Sequence, residues 1–238
     1  YMYYRFGKFT KVLFENMSAA ALKATAAAAY RPRIVGSYIE TYLLEKTRVV
    51  QQGKGERNYH IFYQLCRGMA AATDPADQAL GAECKVADPK DFFYLDQSGT
   101  YDITGVSDAE KFRELRVALS SLSFDRSTQD DIFRVVAGVL HLGNVSFDTS
   151  DLEAVKINAS ANNSSEDSLD YASTMFGVSD DALRKRLTTS SIKVGAQVIV
   201  KPLRADDAVY NRDAMTKALY HGLFNWLVAK MNAQLVVR

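Results

Sequence analysis

The chain has 238 residues, of which 47% are hydrophobic and 24% are charged, and its net charge at pH 7 is +1. These fractions are typical of folded globular proteins, and they exclude a wholly disordered, collagenous or coiled-coil chain. The balance of 29 basic and 28 acidic side chains gives no overall attraction to nucleic acid or to a membrane surface, so any electrostatic partner must bind a local patch.

The cysteines and the apolar runs indicate the environment of the chain. Cys66 and Cys84 are too few for a disulfide framework or a zinc site, which favours a reducing cytosol. No apolar run reaches the roughly 18 residues of a membrane-spanning helix, so no membrane span is expected. No apolar leader precedes the first strand, and Tyr1 stands where a complete chain would begin with Met, so we expect a fragment.

Two strand-like segments come first, at residues 9–14 and 34–44, where β-branched and aromatic residues are frequent. Because one segment follows the other, they predict an antiparallel hairpin. The stretch at residues 18–29 between them is rich in alanine and has almost no polar pattern. We interpret it as a loop insertion, and since alanine favours helix, a helical turn within the loop stays open.

Helical patterns dominate the middle of the chain. Apolar residues at helical spacing predict a core helix over residues 56–72, whereas Asp-Pro pairs and glycines predict mostly connections over residues 73–104. Ser107 and Glu110 form a capping box ahead of a helix that runs to about Leu122. The next helix is predicted to have Ser127 as its cap and to be closed by Gly143.

A polar stretch separates these helices from the last part of the chain. Residues 148–167 are rich in Asp, Ser and Asn and predict an exposed loop. A short helix is predicted from Ser165 to its end at Gly177, and Ser179 is predicted to cap the next helix.

The last part of the chain combines a second hairpin with a long helix. Residues 192–194 and 198–200 are strand-like and are joined through Gly195. From Asn211 onwards, leucines and methionines recur every four residues as far as Leu235, which predicts a long final helix.

The histidines do not suggest catalysis or metal binding. Glu56 and His60 lie four residues apart on the predicted helix, so we interpret them as an i,i+4 structural pair rather than as a general acid and base. His141 and His221 are isolated in the sequence, and no cluster of three metal ligands is predicted.

Three motifs near the start of the chain occur in a characteristic order: Arg5 to Phe9 (RFGKF), Tyr42 to Val49 (YLLEKTRV) and Glu56 to Tyr63 (ERNYHIFY). Together they resemble the myosin motor domain, from the end of the nucleotide-sensing loop called switch I onwards. The GVLHLGN run at 138–144 and the predicted final helix add to the resemblance.

The resemblance implies a fold class and a division of the chain. The fold would be α/β, of the P-loop NTPase type, although this portion is mostly helical. Residues 1–50 would be the end of switch I with the strand pair of the transducer sheet and its inserted loop. Residues 51–238 would be the helical upper 50 kDa subdomain.

The resemblance also implies a nucleotide site. In myosins the arginine that matches Arg5 pairs with a glutamate of switch II behind the γ-phosphate, so Arg5 would be catalytic, and Arg5, Phe6 and Gly7 would contact the bound MgATP. The sequence contains no Gly-x-x-x-x-Gly-Lys-Ser/Thr loop and no Asp-Ile-Phe-Gly-Phe-Glu stretch. Tyrosines at 1, 3 and 4 replace the usual Asn/Ser-rich run, so we expect no ATP hydrolysis by this chain alone.

The clearest charge pattern spans residues 183–205, which carry six basic side chains and no acidic one. A basic hairpin with alternating valines suits an acidic, partly apolar protein surface, although a solvated basic face is an open alternative. In myosins this place is the actin-contacting cardiomyopathy loop. The resemblance implies actin contacts from Lys193, Val194, Gly195, Gln197, Val198, Val200, Lys201 and Pro202.

Two further expectations concern regulation and the neighbouring loop. Gln197 stands where many myosins carry an acidic or phosphorylatable residue, and glutamine has neither a charge nor a hydroxyl, so no phosphorylation switch is expected there. Residues 148–167 resemble a second actin-facing loop, but they are net acidic, which opposes strong attraction to acidic actin.

The function implied is that of an ATP-driven, actin-based motor that uses ATP and Mg²⁺. Its partners would be the actin filament and, through a neck beyond these residues, light chains or calmodulin, and it would act in the cytoplasm at the actin cytoskeleton. No nucleic acid is expected as a partner. The alternative is a non-catalytic actin-binding or scaffold module derived from a myosin motor.

Overall fold

The computed structural model describes residues 6–15, 33–148, 150, 154–158, 165–195 and 197–235. The chain divides into two units. The first unit is formed by Tyr1–Glu45 together with Gly222–Arg238, and the second by Lys46–His221. The described residues are mostly helical with small antiparallel hairpins, as predicted. The division between residues 50 and 51 that the resemblance implies stays a prediction.

The first unit contains a two-stranded sheet and the last part of a long helix. Strands β1 (Phe6–Phe14) and β2 (Ile34–Leu44) pair antiparallel, with Phe9 opposite Glu40, which confirms the predicted hairpin. The pairing is irregular near both ends of β1. The alanine-rich insertion at residues 18–29 lies outside the described residues.

The second unit is built from helices with two small hairpins. Its helices are α1 (His60–Ala70), α2 (Pro75–Glu83), α3 (Phe93–Asp96), α4 (Asp108–Ser121), α5 (Arg126–Asn144), α6 (Ser165–Phe176), α7 (Asp180–Thr188) and the first part of α8 (Ala205–Leu235). Two 3₁₀ turns, Lys46–Val49 and Pro89–Asp91, lie between them. The hairpins are β3 (Phe147–Asp148) with β4 (Lys156–Ile157), and β5 (Thr189–Val194) with β6 (Gln197–Pro202).

Several predicted helix boundaries are confirmed. The Ser107 hydroxyl accepts a hydrogen bond from the backbone N–H of Glu110 at the start of α4, and Ser179 caps α7 in the same way. Helix α6 begins at Ser165 and is followed by Gly177, whose φ of 66° is in the left-handed region that favours glycine. Helix α8 ends at Leu235, as predicted, but begins at Ala205, six residues before the predicted start at Asn211.

Two predictions about the region around α1 and α2 were wrong. Helix α1 begins at His60 and not at Glu56, so Glu56 and His60 do not lie within one helix as predicted; the carboxylate of Glu56 accepts from Arg48 at 2.8 Å. Residues 75–83 form α2 rather than a connection, because Asp74 caps the helix and Pro75 occupies its first turn. The Asp-Pro pair is therefore a helix start, since a first-turn proline needs no backbone donor.

Both ends of α5 also differ from prediction. The cap is Asp125, whose carboxylate accepts from the Thr128 N–H at 2.7 Å, and not Ser127. The helix continues through Gly143 instead of ending there. A Cβ atom at Gly143 would lie 2.4 Å from Cδ2 of Tyr94, so this glycine admits a close ring contact rather than a turn.

The polar stretch at 148–167 is not wholly an exposed loop. Its described residues include β4, which pairs with β3, and Val155 and Ile157 are buried. They join a hydrophobic cluster that links the end of α5 with α6, α7 and the first turns of α8. The buried members of this cluster are Leu142, Val145, Phe147, Val155, Ile157, Leu169, Ala172, Leu183, Leu187 and Ala208. The cluster supports the base of the β5–β6 hairpin.

Candidate functional site

The residues predicted to contact nucleotide lie at the start of the described chain. Arg5 lies outside the described residues. Phe6 and Gly7 are the first residues of β1, and their backbones stand opposite Leu44 and Tyr42 of β2. The structure therefore shows the strand that follows the predicted sensor arginine, and the role of the arginine stays a prediction.

The second predicted site is the β5–β6 hairpin, which the structure confirms as a hairpin. Its register runs from Thr189 opposite Pro202 to Val194 opposite Gln197. Gly195 lies in the connecting turn with a φ of 61°, a left-handed conformation that glycine adopts without strain. Every described side chain from 191 to 202 is exposed, so the hairpin projects from the second unit.

One face of the hairpin carries a pair of isoleucines. Ile192 stands directly opposite Ile199, and Lys201 lies two residues beyond Ile199 on the same face, opposite Ser190. The two isoleucines are 47% and 51% exposed. We call this surface the isoleucine face.

The opposite face carries a pair of valines. Val198 stands opposite Lys193, and Val200 stands opposite Ser191. The valines are 62% and 46% exposed, and Lys193 is exposed beside them. We call this surface the valine face. Both faces therefore combine two exposed branched apolar side chains with one lysine.

The base of the hairpin is fixed by two backbone hydrogen bonds, and a side-chain hydrogen bond joins the helices on either side of it. The N–H of Leu203 donates to the carbonyl of Thr188 at 2.8 Å, and the carbonyl of Leu203 accepts from the N–H of Val155 at 3.0 Å. The side-chain amide of Asn211 in α8 donates to the carbonyl of Arg186 at 2.6 Å. These contacts hold the hairpin between α7, the β4 segment and α8.

The basic pattern on the approach to the hairpin is weaker than the sequence alone indicates. Arg184 donates through Nη1 to Oε1 of Glu166 at 2.9 Å and through Nη2 to Oδ2 of Asp180 at 3.0 Å. The hydrogen bond from Arg184 lowers the pKa of Glu166, which stays ionised at neutral pH. The charge of Arg184 is thus neutralised locally. The other basic side chains of the segment, Lys185, Arg186, Lys193, Lys201 and Arg204, are exposed.

A buried polar network anchors the helix that follows the hairpin. The hydroxyl of Tyr94 donates to Oδ1 of Asp213 at 2.7 Å, and Nη2 of Arg212 donates to the same oxygen at 2.8 Å. Nη1 of Arg212 donates to the carbonyls of Val145 at 2.8 Å and Gly143 at 3.2 Å. The start of α8 is therefore bound to the carboxyl end of α5.

Sequence reasoning missed this network. Burial is the main cause that raises the pKa of Tyr94, so its hydroxyl stays protonated and remains a donor. The only sequence signal was the pair of polar residues Arg212 and Asp213 within an apolar helix, since the partner tyrosine is more than a hundred residues away.

The two cysteines and His141 are buried and unsuited to chemistry. Burial raises the pKa values of the Cys66 and Cys84 thiols to about 12, which keeps both thiols protonated and unreactive. Burial also lowers the pKa of His141, whose Nε2 lies 2.8 Å from the carbonyl oxygen of Cys84. In the part of the chain that the structure describes, no cluster of carboxylates, histidines or cysteines could hold a metal ion.

Among the described residues, no helix is both long and apolar enough to cross a bilayer.

Comparison with known proteins identifies the family. The family model "Myosin head (motor domain)" matches residues 3–238. The chain is 37% identical to human unconventional myosin-XV over 229 residues, which are 96% of this chain and 6% of that protein. It is 37% identical to Myosin-15 of Arabidopsis thaliana, over 96% of this chain and 13% of that protein. It is 36% identical to unconventional myosin IC of Drosophila melanogaster, over 97% of this chain and 20% of that protein.

The chain therefore spans no more than 20% of the length of these three relatives.

Proposed function

Because the chain belongs to the myosin head (motor domain) family, we propose that it is part of an ATP-driven motor that couples MgATP hydrolysis to movement along actin filaments. The observation that supports the actin-binding part of this proposal is the β5–β6 hairpin, which projects exposed lysines and branched apolar side chains from a fixed base. The motor would work in the cytoplasm at the actin cytoskeleton, with light chains or calmodulin bound to a neck outside this sequence.

The hairpin has the chemistry that an acidic, partly apolar protein surface requires. Lys193 and Lys201 attract such a surface over a distance of about one Debye length, roughly 8 Å at physiological salt. The exposed apolar side chains then supply affinity, because each loses contact with water when the partner covers it. Gly195 gives the tight turn, and Gln197 and Pro202 begin and end β6, so these residues shape the surface rather than charge it.

The strand pair β1–β2 would be the outer part of the transducer sheet of a P-loop NTPase-type fold, and residues 51–238 would be the helical upper 50 kDa subdomain. Arg5 would pair with a carboxylate of switch II supplied by another segment, next to Phe6 and Gly7. Its guanidinium would help to close the space behind the γ-phosphate of bound ATP.

MgATP is not assigned to the described residues. They contain no cluster of three or more carboxylates, histidines or cysteines that could hold a metal ion, and the sequence has no phosphate-binding loop of the Gly-x-x-x-x-Gly-Lys-Ser/Thr type. We therefore expect the isolated chain to show no magnesium-dependent ATPase activity. Turnover by the purified 238-residue chain would contradict that expectation.

Cosedimentation with filamentous actin tests the actin-binding proposal. The variant Lys193→Gln/Lys201→Gln, made in the intact protein that contains this chain, is expected to raise the Kd for actin about tenfold and to reduce its dependence on salt. The control is Lys54→Gln/Lys90→Gln, which removes two exposed lysines from other parts of the second unit and so changes the net charge equally. If both double variants weaken binding equally, only the net charge matters and the hairpin is not the contact.

A further inference from the structure

The β5–β6 hairpin exposes apolar side chains on both of its faces. A two-stranded sheet usually gains stability by packing one face against a core, while the other face meets water. In the described part of the second unit, the isoleucine face and the valine face are both close to half exposed. Neither face therefore serves as a buried side of the hairpin.

The two faces also resemble each other chemically. The isoleucine face presents Ile192, Ile199 and Lys201, and the valine face presents Val198, Val200 and Lys193. Among the side chains that the structure describes, each face thus combines two branched apolar groups with one ammonium group. A hairpin that contacted its partner through one face alone would leave the apolar pair and the lysine of the other face in water. Those side chains would then contribute nothing to the free energy of binding.

We infer that the hairpin binds the actin filament through both faces, inserted into a cleft whose walls carry apolar and acidic side chains. A surface that packs against a sheet lies about 10 Å from its mean plane, so one flat surface can cover only one face. Contact with both faces requires two walls, within one filament subunit or between neighbouring subunits. This inference rests on the proposed function, because the occupant of both faces is the filament.

The backbone anchors favour this edge-on mode of binding. Leu203 bonds to Thr188 and to Val155, and these bonds fix the hairpin only at its base. Beyond the base, the six paired residues of each strand extend for about 20 Å with both faces uncovered among the described residues. The hairpin therefore has the shape of a blade that can enter a cleft without rearrangement of the second unit.

Paired threonine substitutions separate the two faces. Ile192→Thr/Ile199→Thr changes the isoleucine face, and Val198→Thr/Val200→Thr changes the valine face. Threonine keeps the β-branched shape that strands favour while it replaces a methyl or a longer apolar group with a hydroxyl, so the hairpin itself is retained. The matched control is Val117→Thr/Val178→Thr, which changes two exposed apolar side chains on α4 and before α7.

The measurement is the Kd for filamentous actin, determined by cosedimentation of the intact protein that contains this chain. Each of the two hairpin variants is expected to raise the Kd about fivefold, and the control is expected to leave it unchanged. Single substitutions of Lys201 and Lys193 by Gln provide a second test, because they leave the apolar packing intact. Each is expected to reduce the salt dependence of binding by a similar amount.

The possible results distinguish this inference from the proposed function. If the variants of one face weaken binding and those of the other do not, the hairpin lies flat on the filament and the two-faced mode is wrong, whereas actin binding by the hairpin stands. If no hairpin variant weakens binding, the proposed function of the hairpin fails as well.

Discussion

The side-chain amide of Asn232 forms hydrogen bonds with both backbone groups of Ile39. Its Oδ1 accepts from the N–H of Ile39 at 2.7 Å, and its Nδ2 donates to the carbonyl of Ile39 at 2.9 Å. A neighbouring strand would offer the same donor and acceptor to this edge of β2. The carboxamide of α8 therefore takes the place of a strand residue and closes the edge of β2 at this position.

Substitution of Asn232 by Leu is expected to lower the free energy of unfolding by about 2 kcal/mol. The leucine is similar in size, but it leaves the partly buried backbone groups of Ile39 without their side-chain partner. Urea unfolding measures the loss, and hydrogen exchange of the Ile39 amide should become faster at the same time. The control is Gln234→Leu on an exposed position of α8, where a change below about 0.5 kcal/mol is expected.

Asn232→Asp separates the two hydrogen bonds. The carboxylate can still accept from the N–H of Ile39, but it repels the carbonyl oxygen that Nδ2 now contacts. Protonation of the carboxyl at low pH restores a donor, so the defect should diminish as the pH falls. An unchanged stability of both Asn232 variants would show that the amide does not hold this edge.

Gly143→Ala is expected to destabilise the protein by about 2 kcal/mol. The added Cβ would approach Cδ2 of Tyr94 to 2.4 Å, and the ring is fixed by its hydrogen bond to Asp213. Gly222 offers a matched control, because it also lies inside a helix but has no atom within 4 Å of an added Cβ. Gly222→Ala should stabilise by up to about 1 kcal/mol through helix propensity. Thermal or urea unfolding that shows the same sign for both substitutions would contradict the packing argument.

His141 is expected to make stability fall as the solution is acidified. Burial lowers its pKa in the folded protein, so the unfolded chain takes up a proton first as the pH drops below about 6.5. The unfolded state then binds more protons than the folded state, and the free energy of unfolding decreases by up to about 1.4 kcal/mol per pH unit. The loss continues until the pH reaches the lowered pKa of the folded state.

His141→Gln tests this dependence, because glutamine can still donate to the carbonyl of Cys84 but does not titrate. Urea unfolding at pH 7 and at pH 5.5 should show a smaller decrease for the variant than for the unchanged protein. Equal decreases would mean that other groups cause the acid sensitivity.

Arg184→Gln is expected to leave actin binding almost unchanged at moderate salt. Its guanidinium is bound to Glu166 and Asp180 rather than presented on the hairpin, so its removal takes away no direct contact with the filament and changes only the long-range field, which moderate salt screens. Lys201→Gln, by contrast, removes an exposed charge from the hairpin itself and should weaken binding severalfold. Cosedimentation at two salt concentrations compares them, and equal effects would restore the view that all six basic residues act together.

The regular patterns of the sequence predicted much of the fold. Hydroxyl caps at Ser107 and Ser179 and the glycines at 177 and 195 mark turns and helix ends that depend only on neighbouring residues. The two predicted hairpins, β1–β2 and β5–β6, are each formed by strand-like segments that follow one another in the sequence. Their strands pair antiparallel, as expected. The errors at Gly143 and Pro75 arose because the same residue types also serve close packing and helix initiation.

The parts that the sequence did not predict depend on contacts between distant residues. Glu166, one of the two partners of Arg184, lies 18 positions away, Asn232 and Ile39 are 193 positions apart, and Tyr94 reaches Asp213 across 119 positions. No local pattern of the sequence predicts such pairs. The structure was therefore needed to show the pairing of Arg184 with Glu166, the closed edge of β2 and the anchor of α8. The β5–β6 hairpin could be predicted, because the alternation of its side chains and the glycine of its turn are local features of the sequence.

The central claim is that the β5–β6 hairpin contacts the actin filament, and side-chain footprinting tests it most directly. Hydroxyl-radical labelling of Val198 and Ile199 should be fast in the intact protein alone and several times slower with saturating filamentous actin, while labelling of Val117 on α4 stays constant. Equal labelling of the hairpin with and without filaments, under conditions where the protein cosediments with actin, would contradict the account.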